Sequence, residues 1–337
     1  MKAVCIEEPG KIYLKEIPIP SIMPGMALIK VKAVGICGSD VNAYRYRHPN
    51  CHYPLIIGHE TAGIVVETDE ENSGFCIGDR VVLDPYLYCG KCYPCLKGRT
   101  NCCEHLEVLG CQTDGSMCEY CLHPAKMLIK APKNLSWPHL SMAEPLTIAL
   151  HAVHTIEPKP SEHVTIIGAG AIGLLSAMVA KLYGAEPILV DIVQERLDEA
   201  KRHGIEHTIN PAAENAVMRI KELTNGRMSE TVIEASGAGA GVANSLHYAS
   251  YLGRIALLGW PKGEITLPTS LITKKELVVK GSRTSKGEFG EALELISSGR
   301  LDMSAIISKV VPFEELPEAL VEQSEHPNDY LKIVGVR

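Results

Sequence analysis

The sequence predicts an α/β protein in which a doubly wound parallel sheet domain is joined to a β-rich domain. At 337 residues the chain is longer than one core comfortably fills, so two domains are expected. Residues 151–285 alternate short apolar β-branched runs with helical patterns, which is typical of a doubly wound sheet. Residues 1–150 carry short strand-like runs with frequent glycine and proline, which indicates the β-rich domain.

Composition favours a function on small molecules. The chain is 46% hydrophobic and 22% charged, within the globular range, and shows no apolar run of the length that a membrane span needs. Glu7, Glu8 and Pro9 interrupt the N-terminal segment, which predicts no export signal and a cytoplasmic location. The net charge of −7 gives no electrostatic footprint for nucleic acid or an anionic membrane, so we expect neither as a partner.

A cysteine-rich segment, "YCGKCYPCLKGRTNCC" at residues 88–103, predicts a metal site. Disulfide frameworks belong to short secreted chains, whereas clustered thiols in a long chain are more often metal ligands or redox pairs. The spacing C-x2-C-x2-C-x7-C allows four sulfurs to converge, and a tetrahedral thiolate set suits a structural zinc ion with no open position. The predicted ligands are Cys89, Cys92, Cys95 and Cys103.

Two other interpretations of this segment stay open. Either the thiols are free in a surface loop, or they hold an iron–sulfur cluster, which uses the same ligand type. Cys102 lies beside Cys103 and is able to replace it as a ligand, although the spacing favours Cys103.

A nucleotide-binding motif lies in "VTIIGAGAIGLLSAMVAKLYGAEPILVD", residues 164–191. An apolar strand leads into G-x-G-x-x-G, which opens a helix, and a second strand ends at an acidic residue. The first glycine permits the tight turn, the second lets the backbone approach the pyrophosphate, and the third permits close packing of helix on strand. This order predicts a Rossmann domain. The predicted cofactor residues are Gly168, Gly170, Ile172 and Gly173.

The acidic residue after the second strand favours NAD over NADP. Asp191 is expected to accept hydrogen bonds from the ribose hydroxyls, and its charge repels a 2′-phosphate. Arg196 follows a few residues later, where it either flanks the adenine or lies in solvent, and both interpretations stay open.

Several short motifs occur together along the whole chain. These are "CGSD", "GHE", the four-cysteine segment, "AEPL" and the nucleotide motif, in this order. With them the chain resembles the zinc-dependent medium-chain alcohol dehydrogenases, and Glu144 in "AEPL" resembles the sorbitol dehydrogenase branch of polyol and sugar-acid enzymes. The segments "GRTNCCE" and "KKELVVKGSR" are similar to bacterial hexonate dehydrogenases such as L-galactonate and L-gulonate 5-dehydrogenase. The resemblance implies a GroES-like catalytic domain at residues 1–150, to which residues 286–337 return.

The resemblance also implies a catalytic zinc with mixed ligands and an open position for substrate or water. Cys37 and His59 are the implied cysteine and histidine ligands. A carboxylate completes the set, and either Glu60 or Glu144 provides it, directly or through bound water. These two glutamates are therefore candidates for both catalysis and metal binding.

Two residues beside the implied ligands have supporting roles in related enzymes. Asp40 is expected to accept a hydrogen bond from the second ring nitrogen of His59 and so to fix the tautomer that binds metal. Ser39 matches the family hydroxyl that takes the proton of the alcohol. Many relatives continue this relay with a histidine where this chain has Asn42, which does not titrate, so the proton leaves through water, a ribose hydroxyl or another residue such as His48.

In the enzymes that this chain resembles, the substrate pocket borrows from the segment that lies between Cys37 and His59 here, "VNAYRYRHPNCHYPLII". A guanidinium pairs with a carboxylate through two parallel hydrogen bonds, so an arginine is suited to an acidic substrate. The alternative is a solvated loop without a specific role. The candidate substrate residues are Tyr44, Arg45, Arg47 and, further along the chain, Arg283.

Together the motifs predict an NAD-dependent enzyme with two zinc ions per chain, one catalytic and one structural. The expected reaction oxidises a secondary alcohol of a polyol or a hexonate such as L-galactonate or L-gulonate to the ketone. A threonine or butanediol dehydrogenase on the same scaffold is the first alternative, and an inactive nucleotide-binding sensor is the second. The resemblance implies a homodimer or homotetramer.

Overall fold

The computed structural model gives the architecture of most of the chain. It describes residues 1–46, 51–68 and 74–337. Within these ranges, every helix is too short or too polar to cross a membrane.

The described residues form two compact units. The second unit is Pro145–Ser285, and the first combines Met1–Glu144 with Lys286–Arg337. The boundary between the first and the second unit falls after Glu144, within a continuous helix. The sequence predicted this boundary at residue 150.

The first unit is mainly β-structure. Its helices are α1 (Gly38–Arg45), α2 (Tyr93–Leu96), α3 (Trp137–Ser141), the start of α4 (Ala143–Ile156), α10 (Phe289–Ser297) and α11 (Leu316–Glu325). Its strands are β1 (Lys2–Glu8), β2 (Lys11–Glu16), β3 (Met26–Gly35), β4 (Leu55–Ile56), β5 (Glu60–Thr68), β6 (Arg80–Leu83), β7 (Tyr86–Leu87), β8 (Glu107–Val108), β9 (Tyr120–Pro124), β10 (Leu128–Lys130), β17 (Ile307–Pro312) and β18 (Lys332–Val336).

One seven-stranded sheet in the first unit brings distant parts of the chain together. Its order is β10-β6-β5-β3-β18-β17, with β9 also paired to β3. The end of β3 lies beside the start of β5, since Gly35 is opposite Glu60, and on its other side Gly35 is opposite Val334 of β18. Because Cys37 follows β3 and His59 precedes β5, the pairing places both near the start of β18.

The second unit contains a six-stranded parallel sheet of order β13-β12-β11-β14-β15-β16. Its central strands are mostly buried because a parallel sheet is covered on both faces. This sheet confirms the predicted doubly wound class. The strands are β11 (His163–Ile167), β12 (Glu186–Val190), β13 (His207–Ile209), β14 (Ser229–Glu234), β15 (Ala249–Leu257) and β16 (Val278–Gly281), and the helices are α5 (Ala171–Leu182), α6 (Gln194–Arg202), α7 (Ala216–Leu223), α8 (Gly239–Tyr248) and α9 (Thr269–Lys275).

A buried histidine on β9 predicts an acid-sensitive step in stability. His123 is 0% exposed, its Nε2 lies 3.0 Å from the carbonyl oxygen of Asp84, and burial lowers its pKa from 6.5 to about 4. Between these two pKa values the unfolded chain binds more protons than the folded protein. The free energy of unfolding should therefore fall as the pH drops through this window, by up to about 3 kcal/mol from this group alone.

Urea unfolding of the wild type and of His123→Gln at several pH values tests this. We expect His123→Gln to lack the pH dependence that His123 gives to the free energy of unfolding. The difference in this free energy between the wild type and the variant should therefore become smaller as the pH falls. The Asp84 side chain, whose pKa burial raises to about 6, contributes an opposite slope but is present in both proteins. A difference that is constant with pH would contradict the assignment.

Candidate metal centres and cofactor site

The first candidate site is a group formed by Cys37, His59 and Glu60. One ligand atom of each residue lies within 4.8 Å of the others. Cys37 is the half-buried residue before α1, while His59 and Glu60 are buried where β5 begins. Sulfur, imidazole nitrogen and carboxylate oxygen together are a donor set that suits zinc.

The surroundings of this group fit a cation. Glu60 Oε2 is buried and makes no hydrogen bond within the described residues. Burial alone would lower the pKa of His59, yet the neighbouring Cys37 and Asp40 outweigh it and hold this pKa well above its usual value. An unmatched buried carboxylate oxygen, beside a thiol and a second carboxylate, is the environment that a bound metal ion satisfies.

Asp40 does not make the hydrogen bond expected from the sequence. Its Oδ1 lies 3.9 Å from His59 Nδ1, which is within ion-pair range but too long for a hydrogen bond. The carboxylate instead accepts from the backbone N–H groups of Cys37, at 2.8 Å, and Gly58, at 3.3 Å. Asp40 therefore anchors the two chain segments that carry Cys37 and His59.

Lys332 is a site residue that the sequence interpretation missed. Its Nζ lies 2.5 Å from Glu60 Oε1 and donates to the carbonyl oxygen of Ile36 at 3.0 Å. Lys332 is 3% exposed and Glu60 is 1% exposed, so the ion pair is fully buried. The available signal was a lysine inside the apolar run "YLKIVGV" near the C-terminus.

The second candidate carboxylate, Glu144, lies in the first turn of α4 and is buried. The hydroxyl group of Tyr86 donates to Glu144 Oε1, a contact that the sequence interpretation also missed. Burial raises the pKa of Glu144 to about 7, with the nearby His59 opposing this shift. Glu144 is not a member of the compact three-residue group, so whether it or Glu60 ligates directly stays a prediction.

The structure describes some, but not all, of the residues predicted for the proton relay and for substrate binding. Ser39 is exposed in the first turn of α1, and Tyr44 is half-buried against the first core. Arg45 donates from Nε to Ser324 Oγ at 2.9 Å and from Nη2 to the carbonyl oxygen of the same residue, so its guanidinium already has a protein partner. Arg283 is half-buried just after β16. Arg47 and His48 lie outside the described residues.

The four cysteines of the first predicted metal site converge. The sulfurs of Cys89, Cys92, Cys95 and Cys103 lie within 4.8 Å of one another, and Cys102 is outside this group. Cys92 Sγ and Cys103 Sγ are 3.8 Å apart, which matches the edge of about 3.8 Å expected for a zinc tetrahedron with Zn–S bonds of about 2.3 Å.

Backbone N–H groups support thiolates in this group. The N–H groups of Cys89 and His105 each donate to Cys103 Sγ at 3.3 Å. Bonds from the backbone of Lys91 and Cys92 lower the pKa of Cys89 to about 6. The arrangement therefore fits a closed four-thiolate metal ion.

Cys92→Ser tests the four-cysteine group. We expect zinc content to fall by one ion per chain, because a hydroxyl is a poor substitute for thiolate. The second unit should still bind NAD, since its sheet is folded by its own core. Zinc analysis and NAD titration measure both effects, and an unchanged zinc content would refute the ligand assignment.

The nucleotide motif forms the predicted strand, turn and helix in the second unit. Gly168 has φ +102°, which favours glycine, and a Cβ at Gly173 would overlap the carbonyl oxygen of Gly168. A Cβ at Gly170 would meet nothing within 4 Å, so space for a ligand exists beside the backbone at the start of α5. Ile172 is half-buried in the first turn of α5.

Asp191 organises the end of the next strand. Its Oδ2 accepts from the N–H of Ala169 at 2.6 Å, and its Oδ1 accepts from the N–H of Val193 at 2.8 Å. A carboxylate has about four lone-pair positions, so capacity remains for ribose hydroxyls. Arg196 is half-buried on α6, and its role at the adenine stays a prediction.

A six-stranded parallel sheet in a chain with a candidate Cys–His–Glu metal group is typical of a zinc-type dehydrogenase. Two family models match this chain, the alcohol dehydrogenase GroES-like domain over residues 23–133 and the zinc-binding dehydrogenase domain over residues 171–298. The chain therefore belongs to the zinc-dependent medium-chain alcohol dehydrogenases, within the polyol dehydrogenase group. This confirms the predicted family and the predicted GroES-like and Rossmann domain types.

Individual relatives cover the whole chain. An uncharacterized zinc-type alcohol dehydrogenase-like protein of Haemophilus influenzae is 54% identical over 100% of this chain and 98% of its own length. Sorbitol dehydrogenase of Bacillus subtilis is 30% identical over 99% of this chain and 96% of its own length. A crystal structure of an alcohol dehydrogenase from Escherichia coli CFT073 complexed with NADH has a TM-score of 0.93 and 31% identity, covering 100% of this chain and 99% of that one.

Proposed function

We propose that the protein is an NAD-dependent zinc dehydrogenase that oxidises a secondary alcohol of a polyol or sugar acid to the ketone. The observation that carries the proposal is the convergence of Cys37, His59 and Glu60 where strands β3, β5 and β18 meet. A mixed sulfur, nitrogen and oxygen donor set of this kind is typical of catalytic zinc. The similarity to sorbitol dehydrogenase supports the substrate class.

Different residues would bind the metal and accept the substrate proton. Cys37, His59 and a carboxylate from Glu60 or Glu144 would hold the metal. When bound, zinc supplies a Lewis acid that lowers the pKa of the substrate hydroxyl, and NAD supplies the acceptor for the hydride. Ser39 would receive the hydroxyl proton at its Oγ and pass it on.

The remaining named residues position the reactants. Asp40 fixes the backbone around the metal ligands, through its bonds to the N–H groups of Cys37 and Gly58. Gly170 leaves room for the pyrophosphate, and Asp191 would accept from the ribose hydroxyls, where its charge disfavours a 2′-phosphate. NAD is therefore the proposed cofactor.

The proposal includes two zinc ions per chain, since the described residues contain two groups with metal-ligand geometry. Assembly as a homodimer or homotetramer and a cytoplasmic location belong to the same proposal and are supported by the family likeness.

NAD reduction by protein of verified zinc content tests the activity. The panel pairs each neutral polyol with its aldonate and adds threonine and 2,3-butanediol. Preference for an aldonate would make Arg283 and Arg47 the next residues to mutate, ahead of Arg45, whose guanidinium is already bonded to Ser324. Preference for a neutral polyol would assign these arginines no role in substrate binding. Absence of NAD reduction across the panel, with zinc present, would overturn the proposal.

A further inference from the structure

Two cysteines that the metal sites do not use lie next to each other. Cys51 Sγ and Cys111 Sγ are 3.4 Å apart although the residues are separated by 60 positions in the sequence. Both are reduced and half-buried, so the pair is in contact without being sealed in the core. In a disulfide bond the sulfurs are about 2 Å apart, so the two sulfurs would have to move closer together for the bond to form.

The two thiols differ in chemical character. The hydrogen bond between the two sulfurs lowers the pKa of Cys51 and raises that of Cys111, which burial raises further. Cys51 therefore carries more thiolate character, and the thiolate is the nucleophile in disulfide exchange. Cys111 is placed to act second, as the resolving thiol.

The pair joins two segments that pack beside the candidate metal group. Cys51 begins the stretch that leads through β4 to His59. Cys111 lies in a turn whose backbone is fixed by bonds from Cys111 N to Val108 O, at 3.1 Å, and from Gly110 N to Thr113 O, at 2.9 Å. This turn packs against Gly58, since a Cβ at Gly110 would lie 2.5 Å from the Gly58 nitrogen.

We propose that Cys51 and Cys111 form a reversible redox-modification site, in which a low-molecular-weight disulfide oxidises the two thiols to a disulfide bond that restrains the segment leading to His59. The Cys51 thiolate attacks the small disulfide, forms a mixed disulfide and releases one small thiolate, which takes up a proton. Cys111 then loses its proton to solvent and attacks the Cys51 sulfur, which releases the second small thiol. In sum, two protein thiols are oxidised and one small disulfide is reduced to two thiols.

The bond would lower turnover by drawing the start of the His59 segment towards the fixed turn. That consequence rests on the proposed dehydrogenase function, whereas formation of the bond does not. The test therefore measures formation of the disulfide bond and loss of turnover separately.

In the experiment, zinc-loaded protein is treated with oxidised glutathione, then mapped by non-reducing peptide mass spectrometry and assayed. We expect a peptide that links Cys51 to Cys111, unchanged zinc content, and a loss of turnover that dithiothreitol restores. Cys51→Ser and Cys111→Ser should each give no linked peptide, and the turnover of each variant should be the same before and after treatment with the oxidant. Cys76→Ser, which removes an exposed cysteine elsewhere, is the matched control and should stay sensitive.

Two results would overturn the inference. The first is absence of the linked peptide under an excess of oxidised glutathione, whatever the activity. The second is a linked peptide with unchanged turnover, which would show that the disulfide bond does not restrain the segment leading to His59. If the reduced protein shows no dehydrogenase activity on any substrate, the proposed function fails, and the peptide map still decides whether the bond forms.

Discussion

Cys37→Ser is expected to remove nearly all NAD-dependent turnover. The substitution takes one thiolate from the group that also contains His59 and Glu60, and a serine hydroxyl does not replace it as a zinc ligand. Lewis-acid stabilisation of the alkoxide accounts for several kcal/mol of the barrier, so its loss should slow turnover on the order of a thousandfold. Steady-state assays and zinc analysis of the same preparation measure both consequences.

Controls for this variant separate catalysis from folding. Zinc content should fall by one ion per chain, with the four-cysteine group still loaded, and NAD should still bind to the second unit. Cys76→Ser is the matched control, because it makes the same chemical change at an exposed cysteine outside both metal groups. Near-normal turnover of Cys37→Ser would show that the metal group has been assigned to the wrong residues.

The features predicted best from the sequence are those encoded in short stretches. The turn between β11 and α5 needs Gly168 and Gly173 for reasons that are local to the turn and the helix that follows it. The four cysteines of residues 89–103 meet because they lie within one short loop. In both cases the spacing of residues along the chain already defines the geometry.

The features missed depend on strand pairing over long distances. Lys332 meets Glu60 only because β18 lies next to β3 and β3 next to β5, a register that no local pattern specifies. Tyr86 meets Glu144 across 58 positions through packing between a strand and a helix, which no local pattern specifies either. Asp40 lies near His59 as predicted, but the backbone N–H groups of its surroundings compete for its carboxylate, and the expected bond to the imidazole is not made.

The ion pair of Lys332 with Glu60 predicts the largest effect on stability. Lys332→Met leaves a carboxylate that is 1% exposed without its cation, and breaking a buried pair in this way costs about 3–5 kcal/mol. Burial opposes the charged form of Lys332, but Glu60 outweighs this and raises the lysine pKa, so Lys332 is charged at neutral pH. The free energy of unfolding in urea should fall by that amount.

A double-mutant cycle shows whether the cost comes from the unpaired charge. Glu60→Gln in the Lys332→Met background removes the orphaned carboxylate and should recover part of the lost stability, because an amide is cheaper to bury than a carboxylate. Lys332→Arg keeps the charge and should lose less than Lys332→Met. If Lys332→Met is as stable as the wild type, then burial of the Glu60 carboxylate does not require this lysine as its ion-pair partner. If instead stability falls and Glu60→Gln recovers it, Lys332 is the residue that compensates the buried carboxylate of Glu60.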